Sequence, residues 1–518
     1  MRRPLTAVTL LVYVTTVAIS LYPIAATQIP SFGDYLNHLA RMHVLWNHGQ
    51  SAALQDFYDV RWRLIPYLGM DAIFGVIPPI VTIYTAGRLF LGFCVVIPII
   101  SVLAIQYAVY RRLDIVPAAA CLVSYNYVLL WGFLNYLVGI CLAVIIFAGW
   151  IATAHWPRWR RAITFTLPTL AVYLAHLEAF AAYGIMIGAY ELTRAWHAGF
   201  RPARRIAANW GAAAVPAVPA LFVAWAIRFE ETPASVIPAA FGDFSDKLVT
   251  VFSPFLFLDT TIDIIGGTAF VAALYAGIRL GFLTVAHDIW PVAGTMMLVA
   301  LCTPVAWLGG WGLDFRLPIV MVVILLGGTV STDRMGNRLK AGVLTALLLC
   351  NLGRALDITG ALAPLDVQIA VFRSVAESIP RGERLLIVDD ATDRARGGLS
   401  RATTNSMAMT FLIDRDVFVP GIILDHTTVQ PKAALRASSS NGDFPRISDL
   451  ADDGRGNVGP ALGYLQGWRE KFSYLLLEHW GNRLENIPAD LEPVVKSDVA
   501  DLYRVIPLRA RTWQSPGR

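Results

Sequence analysis

Residues 5–26 read LTAVTLLVYVTTVAISLYPIAA, preceded by Arg2 and Arg3 and carrying the helix-breaking Pro23 near their end. A hydrocarbon core of about 30 Å needs roughly 20 apolar residues in helical form, so this run is long enough to cross. A cleaved secretory leader starts with the same basic residues but has a shorter apolar core, so the run reads as a retained first membrane helix. With that crossing in place, the bilayer becomes the solvent for much of the chain beyond it.

Working outward, apolar stretches recur at about 82–110, 115–131, 135–154, 162–175, 177–194, 206–228, 262–280, 288–308, 317–331 and 340–357. They predict a mainly α, polytopic membrane bundle of about eleven transmembrane helices over residues 1–358, although several stretches fall short of the usual length. The pair 162–194 reads as a hairpin, because Pro168 and the polar His176 and Glu178 interrupt it; one long tilted helix is the alternative. Composition agrees: of 518 residues, 56% are hydrophobic and only 15% charged, which excludes an ordinary soluble enzyme. The net charge of +5 lies in short runs between apolar stretches rather than on a basic face, so no nucleic-acid partner is expected. Cys94, Cys121, Cys141, Cys302 and Cys350 all lie in or beside apolar stretches, with neither a disulfide framework nor metal-ligand spacing.

The basic residues orient the bundle. Arg2/Arg3, Arg111/Arg112, Arg158/Arg160/Arg161, Arg194 with Arg201/Arg204/Arg205, Arg279, and Arg334/Arg338/Lys340 fall at alternate ends of the stretches. The positive-inside rule makes those ends, and the N-terminus, cytoplasmic. Residues 64–79, with Pro66, Pro78 and Pro79, are too short to span and are expected on the outer membrane surface. The outer face then receives a large first loop, 26–81, the turns at Trp131–Asn135, His176 and Gly309–Arg316, and the loop 229–261. It also receives the tail, 359–518, expected as a small water-soluble α/β domain. Its predicted helices are 366–379 and 402–413, its strands Leu385–Val388, Val417–Val419, Tyr474–Glu478 and Leu502–Pro507, and 436–459 a long loop.

Candidate chemistry sits on that outer side. In Ser31-Phe-Gly-Asp34-Tyr-Leu-Asn37-His38-Leu-Ala-Arg41, a helix would carry Asp34, His38 and Arg41 at i, i+4 and i+7, on one face. Acid, imidazole and guanidinium there suit acid/base work beside an anion; a capping-box start from Ser31 to Asp34 is the plain alternative. Asp56, Tyr58, Asp59, Arg61 and Arg63 come later in the same loop. His176 and Glu178 stand between apolar runs, where ionisable groups face a cavity or a partner; a surface turn is the alternative. Gly309-Gly-Trp311-Gly-Leu-Asp314-Phe-Arg316 is a glycine-rich turn that lets backbone approach a ligand, with Arg316 suited to phosphate and Asp314 its nearest acid. Pairing with Asp314, or snorkelling, would explain Arg316 without a ligand. No G-x-S-x-G, Walker or H-E-x-x-H pattern is present.

This layout resembles the GT-C class of membrane glycosyltransferases, over the whole chain but through loose motifs. Asp34, in its Gly-Asp helix start soon after the first helix, matches the position of that class's acid, and Arg316 resembles a late basic residue for the donor lipid's phosphate. Many members carry paired acids in the first loop, whereas Asp34 stands alone among Gly33, Tyr35 and Asn37. The resemblance implies inverting transfer of a sugar from a polyprenyl-phosphate-linked donor to a lipid or glycan acceptor. Asp34, His38 and Glu178 would be catalytic, and Arg41, Arg61, His176, Asp314 and Arg316 would bind substrate. No cofactor is expected, with a divalent metal left open. The expected place is a bacterial inner membrane, with the tail periplasmic. A transporter or lipid flippase would place polar groups near the midplane and often shows internal repeats, which are missing here. A non-catalytic assembly protein is the third class.

Overall fold

The computed structural model describes residues 7–227, 239–307, 310–391, 401–404, 406–422, 427–438, 444–454, 460–482 and 487–506. Gly309, residue 228 of the stretch 206–228, residues 229–238 of the loop 229–261, and residues 439–443 and 455–459 of the loop 436–459 lie outside the described residues. The chain is mainly helical, with a small sheet region near its C-terminus.

In chain order, α1 (Ala7–Ala26) is followed by α2 (Tyr35–Asn47), α3 (Ala52–Phe57), strand β1 (Tyr58–Val60) and α4 (Gly69–Val76). Then come α5 (Ile83–Tyr110), a 3₁₀ stretch Val116–Val123, α6 (Tyr127–Leu130), α7 (Leu134–Ala152), α8 (Arg158–Ala175) and α9 (Leu177–His197). Next are α10 (Ala203–Ala214), α11 (Val218–Ile227), α12 (Phe244–Phe252), α13 (Thr260–Arg279), β2 (Leu283–Val285) and α14 (Trp290–Cys302). The short strands β3 (Ala306–Trp307) and β4 (Gly310–Trp311) precede α15 (Pro318–Gly327), β5 (Thr329–Ser331) and α16 (Asn337–Ala376). The remainder holds β6 (Leu385–Asp389), α17 (Arg401–Thr404), α18 (Thr410–Arg415), β7 (Val429–Pro431), α19 (Trp468–Lys471), β8 (Tyr474–Glu478), β9 (Leu491–Val495) and β10 (Ala500–Val505). Internal contacts divide the chain into two units, one of Met1–Ala26, Leu64–Met70 and Leu89–Ala361, the other of Thr27–Arg63, Asp71–Arg88 and Leu362–Arg518.

Among the described residues six helical runs are long and apolar enough to cross a membrane: Thr9–Ala26, Ile83–Tyr110, Leu134–Ala152, Ala203–Ile227 (α10 and α11 joined by the 3₁₀ turn Val215–Ala217), Thr260–Arg279 and Asn337–Ala376. The chain is a multi-pass membrane protein. Three of the expected spans take other forms. Stretch 115–131 breaks at Asn126, whose extended backbone (ψ 170°) and side-chain oxygen, accepting from Leu129 N–H, start a fresh turn. Stretches 288–308 and 317–331 contain helices of only 13 and 10 residues, each ending near strand. At 162–194 the chain forms two helices, not one, because His176 between them is extended (φ −167°, ψ 130°).

In the first unit α7, α8 and α9 pack on one another, and α14 packs on α9 and α15. At the end of α15, Gly327 and Gly328 permit close approach: a Cβ on Gly327 would lie 2.5 Å from Ile105 Cβ, and one on Gly328 2.4 Å from Ile289 Cγ2. Small residues at such crossings are what brings membrane helices together. Strand β5 then pairs antiparallel with β2, Leu283 opposite Ser331. Side chains complete the backbone bonding there. Gln106 Nε2 donates to Thr329 O at 3.1 Å, Tyr110 OH to Gly328 O at 2.7 Å, and Ser331 Oγ to Asp114 at 2.9 Å.

The expected helix 366–379 is the end of α16, a helix of 40 residues that continues through Pro364. Ala355, Ile358, Leu362, Leu365, Ile369, Phe372 and Ala376 are all buried, a stripe at three- and four-residue spacing that holds the helix across the polar interruption.

In the second unit β6, β8, β10 and β9 form a sheet in that order. β6 and β8 are parallel, with Leu385 opposite Tyr474, and the other pairs are antiparallel. The expected strands at 385–388, 474–478 and 502–507 are present, with small boundary shifts. The expected strand Val417–Val419 contributes a single bridge, Phe418 to Arg384, and the expected helix 402–413 is broken into α17, a 3₁₀ turn and α18. A separate two-stranded pairing joins β1 to β7, Tyr58 opposite Pro431.

Asp416 closes α18 in a left-handed conformation (φ 54°). Its carboxylate meets His43 Nε2 at 2.7 Å, Ser51 Oγ at 3.2 Å and Arg381 Nη1 at 2.9 Å. Burial favours its neutral form, but the hydrogen bond and charge of His43, with Ser51 and Arg381, outweigh that and hold it below the usual carboxylate range. A carboxyl depressed on folding adds stability above its unfolded value of about 3.9, and that stability is lost as pH falls through the folded value. Asn tolerates the left-handed backbone. Asp416→Asn is therefore expected to flatten the fall of melting temperature below about pH 4, read as parallel pH-dependent melts of variant and wild type.

Candidate functional site

The first unit gathers three of the outer turns expected from the sequence. His176, extended between α8 and α9, accepts from Glu178 N–H through Nδ1 at 3.2 Å and so caps α9. That bond requires an unprotonated Nδ1. The ring packs edge-on against Tyr67 and Tyr136, at centroid distances of 4.6 and 5.2 Å. Asn135, at the start of α7, accepts from Met70 N–H at 2.7 Å and donates to Tyr67 O at 2.9 Å, so residues 67–70 are tied to this turn.

Arg316 lies at the centre. Its Nη1 donates to Glu178 Oε2 at 3.2 Å and its Nη2 to Trp311 O at 2.5 Å. The guanidinium carbon sits 3.9 Å from the centroid of Phe133 and 5.7 Å from that of Tyr136, a cation–π arrangement that holds the group flat. Tyr136 OH donates to Arg316 O at 2.8 Å. Around it Trp131 and Trp311 stack edge-to-face at 4.7 Å. Among the described residues, Arg316 Nε, Glu178 Oε1 and Trp131 Nε1 are buried without a hydrogen-bond partner. Native interiors rarely leave such groups unmatched, and a polar ligand would complete them.

Asp314 is a candidate binding residue whose pairing with Arg316 is the plain alternative, and that pairing does not form, because its carboxylate is taken up by other groups. Its Oδ2 accepts from Lys247 Nζ at 2.7 Å and Thr250 Oγ1 at 2.8 Å, and its Oδ1 from Phe315 N–H at 2.8 Å. Asp314 thus locks α12 to the turn that presents Arg316. Lys247 is not legible in the sequence, since a lone lysine after the Asp243–Asp246 capping box looks like helix surface.

In the second unit Asp34 occupies the residue before α2. Its carboxylate makes no capping bond, and Ser31 Oγ donates to Thr403 O at 2.6 Å, so a capping box from Ser31 to Asp34 does not form. His38 is buried along the same helix. Arg41 is 1% exposed and meets Asp71, 0% exposed, through Nε at 3.1 Å and Nη2 at 2.7 Å. Thr428 Oγ1 donates to the other oxygen of Asp71 at 2.6 Å. Arg61 is 66% exposed and reaches Asp59 at 3.3 Å.

Two further buried ion pairs are not expected from the sequence. Arg161 lies 3.6 Å over the Trp150 ring and 3.6 Å from Glu191, which also accepts from Trp150 Nε1 at 2.9 Å. Arg354 reaches Asp263 at 3.2 Å and donates to Tyr125 O and Phe255 O. Charges inside apolar runs are the available signal for both. Among the described residues no three His, Cys, Asp or Glu side chains converge as metal ligands.

Two crystal structures of ArnT from Cupriavidus metallidurans share this fold. The apo form matches with a TM-score of 0.52 at 12% identity, over 96% of this chain and 98% of that one. The form bound to undecaprenyl phosphate matches with 0.53 at 12% identity, over 99% and 100%. ArnT is a GT-C glycosyltransferase, and the likeness is distant. No family model matches the chain, and no curated protein matches it.

Proposed function

We propose that the chain is a membrane glycosyltransferase that moves a sugar from a polyprenyl-phosphate-linked donor to a lipid or glycan acceptor. The observation that carries the reading is Arg316, held by aromatic rings and Glu178 while its Nε lacks a partner among the described residues. A guanidinium so placed suits the phosphate of an anionic lipid, and the fold is one that ArnT uses. The basic clusters at alternate helix ends support a cytoplasmic N-terminus and an outer, periplasmic α/β tail over 359–518.

In this reaction the bond from sugar C1 to the phosphate oxygen breaks while a bond from C1 to the acceptor oxygen forms. One displacement inverts the anomeric carbon. Asp34 takes the acceptor's proton, His38 and Glu178 orient the reactants, and Arg316 carries the charge that grows on the departing phosphate. Neutralised in this way, phosphate leaves readily. Arg61 is exposed enough to meet a headgroup or phosphate. Arg41, His176 and Asp314 act by holding α2, α9 and the Arg316 turn in place.

The test is transfer of labelled sugar from a panel of polyprenyl-phosphate donors by membranes containing the protein. Arg316→Ala is expected to lower the rate about 10²- to 10³-fold, the scale for losing one fixed donor at a developing anion. Equal rates in the variant would remove Arg316 from the mechanism. Movement of intact lipid across vesicles without sugar transfer would favour a flippase.

A further inference from the structure

The Arg316–Glu178 pair is a poor one by the standards of arginine and carboxylate. A fork-to-fork pair makes two parallel bonds, but here one bond forms, Nη1 to Oε2 at 3.2 Å, and Glu178 Oε1 and Arg316 Nε stay unmatched among the described residues. Glu178 stands in the first turn of α9, its own N–H bonded to the His176 ring. From that tether it reaches one edge of the guanidinium. Trp131 Nε1, in the same cluster of rings, is a third buried group without a partner.

One ligand chemistry matches this set. A phosphate group offers several oxygens around a single centre, enough to accept from Nε and Nη1 of Arg316 and from Trp131 Nε1 together. The carboxylate cannot do so and repels a phosphate brought beside it.

We infer that Glu178 is a stand-in for the donor's phosphate: it occupies Arg316 in the empty protein and is displaced when a polyprenyl phosphate binds, an inference that rests on assigning Arg316 to that phosphate. Released, Glu178 turns an acceptor-only group toward the sugar hydroxyls of the donor. After transfer, the phosphate monoester left behind carries more charge than the diester that arrived, and Glu178 competes for Arg316 and promotes its departure.

Competition lowers apparent affinity by the fraction of protein in which Arg316 is open. Binding of undecaprenyl phosphate, with neutral undecaprenol as control, is measured on the purified full-length chain for wild type, Glu178→Gln, Trp131→Phe and Arg316→Ala. Glu178→Gln is expected to bind the phosphate about tenfold tighter, as for a pair closed nine times in ten. Trp131→Phe keeps the ring and is expected to bind it several-fold more weakly. Undecaprenol should bind all four alike, and Arg316→Ala should lose the preference for phosphate. Unchanged or weaker binding by Glu178→Gln, with that preference still lost in Arg316→Ala, overturns the exchange and leaves the Arg316 assignment standing. Full phosphate preference in Arg316→Ala overturns the assignment itself. If Glu178→Gln fails to fold, the exchange is also overturned, because it requires that Arg316 can stand without Glu178.

Discussion

Asp34→Asn is expected to slow sugar transfer by about 10²- to 10⁴-fold, the usual contribution of a positioned general base, with the protein inserted in the membrane at wild-type levels. Asn keeps the volume and the hydrogen-bonding oxygen but cannot take a proton. Asn is as good a residue as Asp at the position before a helix, so the backbone of α2 is expected to tolerate the change. The measurement is initial rate per folded protein from a donor that wild type uses. A rate within a few-fold of wild type would show that the acceptor's proton goes elsewhere. If the melting temperature fell along with the rate, Asp34 would instead be a structural residue.

The largest stability effect is expected from Asp71→Ala. Asp71 is fully buried against Arg41, which is equally enclosed. Truncating the acid leaves a guanidinium in the interior with no counter-charge, a change that costs about 3–5 kcal/mol. It also takes from Thr428 the oxygen its hydroxyl donates to. The expected outcome is a lower melting temperature and increased proteolysis of the second unit. Replacing both partners, Arg41→Met with Asp71→Leu, should recover most of the loss, because removing the pair together strands no charge. A melt unaffected by Asp71→Ala would mean that water reaches Arg41.

Why some of the molecule is legible in the sequence, and some not, comes from the range of each interaction. The long helices and the strands Leu385–Asp389 and Tyr474–Glu478 announce themselves by local hydrophobic pattern. His176 and Glu178 stand out because polar residues between apolar runs are costly. Asp71 is equally anomalous in the apolar segment 69–76, but its partner lies 30 residues earlier and no local pattern joins them. The same kind of separation hides Lys247 from Asp314, 67 residues apart. β9 is hidden because only Leu491 of its five residues is buried and Pro493 sits within it, the marks of an edge strand. Periodicity over α16 is readable from Ala355 to Ala376, but Gly360 and Pro364 suggest a break that the buried stripe overrides.

The pairing of β5 with β2 bears on how far a short segment can reach. A helix advances about 1.5 Å per residue and a strand about 3.3 Å. The ten residues of α15 therefore rise about 15 Å, and the three of β5 add about 10 Å. Helix geometry alone would need six or seven residues for that second step. The chain gains extension with fewer residues, which in an apolar medium is allowed only where every exposed amide and carbonyl is met. Here β2, Gln106, Tyr110 and Asp114 supply those bonds. Residue count at helical rise thus understates the reach of such segments, and the polar side chains on α5 and just beyond it are what make the extra distance possible.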